Sequence, residues 1–119
     1  MPHTHEITQE MRSCIQNCTD CHRICTETAA HCLQMGGKHA EPAHIRLLLD
    51  CAQICETGAD FMSRTSHFHA DVCRICADVC AQCAESCAGM GQDDPTMQEC
   101  SDICRRCADS CRNMASVSA

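Results

Sequence analysis

The 119-residue chain has no Trp and no Tyr, and its two Phe are Phe61 and Phe68. Ordinary cores draw much of their buried area from aromatic rings, so another side chain must fill this one. Cations are scarce too: nine Lys and Arg against sixteen Asp and Glu leave a formal charge of −7 with His neutral. That balance argues against nucleic acid or an anionic membrane surface as partner. No apolar run approaches the ~20 residues of a transmembrane helix. The start, MPHTHEITQEMRSC, lacks a basic stretch followed by an apolar one, and Arg105-Arg106 lies too late for a twin-arginine leader. The expectation is a cytoplasmic protein forming a single domain over residues 1–119. Neither a Ser/His/Asp set, a phosphate loop nor a carboxylate pair is evident, so no catalysis is expected.

Cysteine is what the chain has in excess, sixteen in all. In VCRICADVCAQCAESCAGMG, residues 72–91, Cys73, Cys76, Cys80, Cys83 and Cys87 are separated by steps of three, four, three and four. Residues so spaced stack on one face of an α-helix. Leu or Ile fills such a seam in most bundles; here every seam position is a thiol, and free Cys packs as a small hydrophobe.

The pattern predicts four helices, at about 7–35, 42–63, 67–90 and 95–114. The first carries Met11, Cys14, Cys18, Cys21, Cys25, Thr28, Cys32 and Met35 along its seam and ends at Gly36-Gly37, since Gly accepts a left-handed C-terminal conformation. Pro42 suits the first turn of the second helix, which has only Cys51 and Cys55, their stripe continued by Gly58 and Met62, and otherwise offers Ile45, Leu47, Leu48, Leu49, Ile54 and Phe61. Ser66 is the expected N-cap of the third helix. Asp93, Asp94 and Pro95 announce the fourth, with Met97, Cys100, Cys104, Cys107, Cys111 and Met114 on its seam. Residues 1–6, with His3 and His5, and Ala115–Ala119 are expected to be loose. Cys18, Cys21, Cys25, Cys32, Met35 and Gly36 superpose at constant offset on Cys73, Cys76, Cys80, Cys87, Met90 and Gly91, an internal duplication. Short connections favour antiparallel neighbours, so the fold class is all-α, an up-down-up-down four-helix bundle with a Cys-lined core.

Antiparallel packing would gather Met35, His39, His44, Met90 and Met97 at one mouth, and Met11, Met62, His67, His69 and Met114 at the other. Met also fills gaps where helices splay; together with His, the set favours a soft-metal entrance. His22 and His31 flank the seam and are expected on the surface or at helix contacts.

A disulfide framework fits poorly. Helical neighbours hold their Cβ atoms about 5–6 Å apart, whereas a disulfide needs roughly 3.5–4.5 Å. Metal fits better: thiolate with thioether selects Cu(I), while zinc takes thiolate and imidazole but hardly ever Met. Cu(I) accepts two or three sulfurs, which can span up to roughly 4.6 Å across the ion at about 2.3 Å per bond. One univalent ion per thiolate also leaves no net charge in the core. Capacity is then on the order of one Cu(I) per Cys, ~16 ions, with a few more at the mouths.

The recurring CxxxC and CxxC ladders over Met11–Met114, the Gly-terminated Cys-rich helices and the missing export signal resemble the bacterial copper storage proteins, in particular their cytosolic branch. The resemblance implies a four-helix bundle, often a homotetramer, that binds many Cu(I) ions and admits copper at an open end bearing Met and His. The expected ligands are the sixteen Cys named above with Met35, Met62, Met90, Met97, His67 and His69. Two alternatives stay open. One is a zinc or iron–sulfur protein, although no C-x2-C-x2-C-x3-C run is present. The other is a thiol redox protein using Cys18-Cys21, Cys73-Cys76, Cys80-Cys83 or Cys104-Cys107, although these lie mid-helix and reactive thiols favour exposed helix N-termini.

Overall fold

Helix periodicity and helix-end chemistry together account for the architecture. The computed structural model describes residues 6–91 and 93–116. It contains α1 (Gln9–Met35), a short 3-10 helix (Gly37–Ala40), α2 (Pro42–Ser63), α3 (His69–Ala88) and α4 (Pro95–Ser116), with no strand among the described residues. His3 and His5, and the last three residues, lie outside this range. Each helix packs on two others, α1 on α2 and α4, and α3 on α2 and α4. Cys14 meets Cys111 while Cys25 meets Cys100, and Cys55 meets Cys76 while Cys51 meets Cys80, so neighbours run antiparallel. This is the expected up-down-up-down bundle. No helix among the described residues is long and apolar enough to cross a membrane.

Local chemistry fixes the helix ends. Thr8 Oγ1 accepts the Met11 amide at 3.1 Å and starts α1. Gly36, at φ 71°, donates its amide to the Cys32 carbonyl and stops it. Asp94 Oδ1 accepts the amides of Thr96 and Met97 at 3.0 and 3.4 Å and starts α4. That helix continues to Ser116, two residues beyond the expected stop at Met114. Ser66 differs from expectation. Its hydroxyl accepts the Phe68 amide and its carbonyl the His69 amide, so it closes the turn ahead of α3, and the helix begins at His69 rather than 67. At its other end α3 stops at Ala88, short of the expected residue 90.

All sixteen Cys are buried and unbridged. They share the core with Met11, Met62, Met97 and Met114, with Leu48 as the largest fully buried side chain and Thr28 as a buried polar rung. Thiols are short, so four helices can meet over them only if they approach closely. Small residues permit it: Ala70, Ala77 and Ala84 recur every seven residues on α3, and Ser101 and Ala108 on α4, all buried. Ser101 Oγ donates to the Ala84 carbonyl at 3.0 Å, locking that close pair. Gly58 of α2 lies beside Cys18, where an added β-carbon would stand in ordinary contact with Sγ at 3.8 Å.

Candidate metal centre

The four seams converge on a continuous column of sulfur. From one end, Cys14 Sγ lies 3.7 Å from Cys111, which lies 3.5 Å from Cys18; Cys18 lies 3.6 Å from Cys107. Cys107 leads to Cys55 at 3.8 Å, Cys55 to Cys80 at 3.5 Å, and Cys80 to Cys51 at 3.6 Å. Cys51 leads to Cys21 at 3.8 Å and Cys21 to Cys104 at 3.7 Å. Cys25 follows at 3.6 Å, Cys100 at 3.9 Å and Cys87 at 3.5 Å. Cys76 joins at Cys55 and Cys80, and Cys83 at Cys25, Cys100 and Cys104.

These separations are those of ligands around an ion. With metal–sulfur bonds of about 2.3 Å, the edge of a trigonal site is about 4.0 Å and of a tetrahedral one about 3.8 Å. Sulfurs cluster within 4.8 Å of one another as Cys18/Cys76/Cys107/Cys111, Cys21/Cys51/Cys55/Cys80 and Cys25/Cys83/Cys100/Cys104, with further overlapping sets between them. Charge separates the candidate ions. A divalent ion in four thiolates leaves two buried negative charges uncompensated, whereas a univalent ion per thiolate leaves none, and unpaired buried charge is strongly unfavourable.

Without metal the thiols hydrogen-bond to one another. Sulfur-to-sulfur bonds, led by that with Cys104, hold Cys21 down, while those at Cys55, led by Cys107, push it far up. Burial raises both. Cys32, away from the crowded column, is pushed up to about 11, first by burial and then by Cys100 and Asp94.

The two ends differ. At one, Cys32 Sγ lies 3.4 Å from His44 Nε2 and 3.6 Å from Met97 Sδ, and His44 Nδ1 lies 2.7 Å from Ser86 Oγ. Burial lowers the His44 pKa and favours the neutral, ligating imidazole. Met90 is half-buried against the core there, but Met35 is 56% exposed. Met35 closes the longest helix, 27 residues against 20 to 22 for the others, and its seam position has run out of partners. At the other end Met11, Met62 and Met114 are buried. His67 there is exposed, and half-buried His69 turns Nδ1 to the Ser66 carbonyl, so neither is brought to the thiols.

His22 bonds through Nδ1 to the Ala52 carbonyl at 2.8 Å, the helix-packing role expected of it. His31, expected like His22 on the surface or at helix contacts, bonds to Asp94 Oδ2 at 3.0 Å. His44 was legible as a seam residue, four before Leu48, although it is absent from the expected ligands.

The family model described as copper storage protein matches residues 7–116. The solved Nitrosospira multiformis protein Nmul_A1745 is 44% identical at a TM-score of 0.84, over 92% of this chain and 97% of that one. Cu(I)-bound copper storage protein BsCsp3 is 36% identical at a TM-score of 0.82, over 90% of this chain and 99% of that one. A cytosolic copper storage protein from Streptomyces lividans, solved with five coppers, is 30% identical at a TM-score of 0.78, over 91% of this chain and 93% of that one. An uncharacterised cysteine-rich protein of Bacillus subtilis, YhjQ, is 34% identical over 68 residues, 57% of this chain, and the match spans 63% of the length of that curated relative.

Proposed function

We propose, from the premise that this chain belongs to the copper storage protein family, that it holds many Cu(I) ions on the thiolates lining its bundle. The observation that carries the reading is the overlap of the sulfur clusters, in which Cys21, Cys25, Cys51, Cys55, Cys76, Cys80, Cys104 and Cys107 each serve more than one. Shared sulfurs suit bridging thiolates and univalent ions better than isolated four-sulfur zinc sites. Loading replaces thiol protons with Cu(I), so uptake releases protons while the bundle stays folded. The protein acts as a store and not as an enzyme.

The sixteen Cys are the proposed ligands. The end carrying His44, Met90 and Met97 is the proposed point of access, because neutral imidazole and thioether donors bind Cu(I) without trapping it among anions. Cytoplasmic location is supported by likeness to the cytosolic Streptomyces lividans protein. Assembly as a homotetramer is proposed as well; exposed Leu33, Leu49, Phe68 and Ile75 supply apolar surface for it. Light scattering should then give four times the chain mass, and a monomer would refute the assembly.

Anaerobic titration of the reduced protein with Cu(I), followed by metal counting, tests the storage reading. The expected end point is on the order of one ion per Cys, ~16. Saturation by about four Zn(II) with weak Cu(I) uptake would overturn it.

A further inference from the structure

We propose that His31, His39 and Asp94 form a second metal site, for one borderline divalent cation of the Zn(II) class, on the rim of the bundle and outside its sulfur column. The Nε2 atoms of His31 and His39 lie 3.0 and 3.2 Å from the same oxygen, Asp94 Oδ2. Their rings meet edge-on, centroids 6.1 Å apart at 80°. The three residues come from α1, the 3-10 helix and the residue before α4, so only the tertiary fold assembles them.

Three features make this a ligand set. First, the nitrogen-to-oxygen spacing fits: bonds of 2.0–2.1 Å around a tetrahedral ion give donor separations of about 3.3–3.4 Å, so each Nε2 needs to part from Asp94 Oδ2 by only a few tenths of an ångström. Second, the carboxylate is held. Asp94 Oδ1 is engaged by the amides of Thr96 and Met97, which leaves Oδ2 facing the imidazoles. Third, the site is reachable without being loose: the side chains of His31, His39 and Asp94 are 30%, 17% and 17% exposed. Each Nε2–H donates to the Asp94 carboxylate, and a bound ion would take the place of those two protons, with the ring proton kept on Nδ1 and a fourth position left for water.

The donor chemistry separates this site from the store. Two imidazoles and one carboxylate contain no sulfur, and such sets favour Zn(II), Co(II) and similar ions over Cu(I). A bound ion would tie α1, the 3-10 helix and the start of α4 together beside the end where Cys32, His44 and Met97 meet.

Co(II) is the probe, and the sample is copper-loaded protein, whose thiols are occupied. Equilibrium dialysis should give one Co(II) per chain, with visible d–d bands and no sulfur-to-cobalt charge-transfer band in the near ultraviolet. His39→Gln and Asp94→Asn should each weaken Co(II) binding at least tenfold, on the scale of losing one metal ligand, with the copper count unchanged. Asn retains N-cap ability, so that variant reads the lost charge and not a frayed helix. Absence of Co(II) binding, a charge-transfer band, or equal affinity in wild type and both variants would overturn the site. Copper is counted on the same samples, so a failure of the storage reading registers separately.

Discussion

The middle of the bundle and its His44 end stand on the same four seams yet present different donors. In the middle, sulfur meets only sulfur, as in the steps of 3.6 to 3.8 Å that join Cys80, Cys51, Cys21 and Cys104. At the end, Cys32 faces an imidazole and a thioether, and seam positions Thr28 and Leu48 stand between it and the column. The comparison separates two things that a periodic pattern merges. Period decides where a side chain points; its chemistry decides whether the site carries charge. A thiolate-only middle needs one cation per anion to be stable in a dry interior, whereas neutral His and Met can stand empty at little cost.

The largest expected effect breaks the middle and spares the end. Replacing Cys76, Cys80 and Cys83 together by Ser disables members of several sulfur clusters, and copper stoichiometry should fall by several ions while the helical circular dichroism of the metal-free protein is retained. Unchanged stoichiometry would place the store elsewhere. Leu48→Ala attacks the packing between the two regions. Removing a fully buried Leu costs about 2–5 kcal/mol, read as a lower denaturation midpoint of the metal-free protein; an unmoved midpoint would mean that the layer is not close-packed.

A pH titration sharpens the contrast further. The Cys32 pKa is raised to about 11 in the folded protein, above about 8.5 for a free thiol. Between those values the unfolded chain has lost a proton that the folded one keeps. Its stabilising contribution is therefore complete below about pH 8.5 and fades as pH rises through 11. Melting temperatures of the reduced, metal-free protein should fall over that window, and a rise would mean that ionised thiolates are held in the fold. The smallest effect belongs to the end alone. His44→Gln removes one ligand, so capacity should drop by no more than about one ion; a loss of several would make the end and the middle one site.

The seams were legible because backbone geometry alone spaces them: Cys14 through Cys32 and Cys73 through Cys87 keep helical steps without reference to any partner. Gly36 and Pro42 mark helix ends for equally local reasons. The small-residue repeat of Ala70, Ala77 and Ala84 was also readable, although it carries no chemistry that draws the eye. What sequence could not give was register. Met35 follows the periodicity but overhangs its neighbours, and His67 and His69 sit near thiols along the chain without facing them. The meeting of His31, His39 and Asp94 depends on how two connections fold back across the same rim.

One consequence of the sulfur column concerns transport. Each step of the sulfur path that starts at Cys14 and Cys111 and ends at Cys100 and Cys87 spans no more than 3.9 Å, inside the reach of about 4.6 Å that two bonds to one ion allow. On the proposed reading, an ion leaving one ligand has already met its successor. Cargo then travels along the column by partner exchange, hand over hand, and no ion is stripped bare between one sulfur and the next.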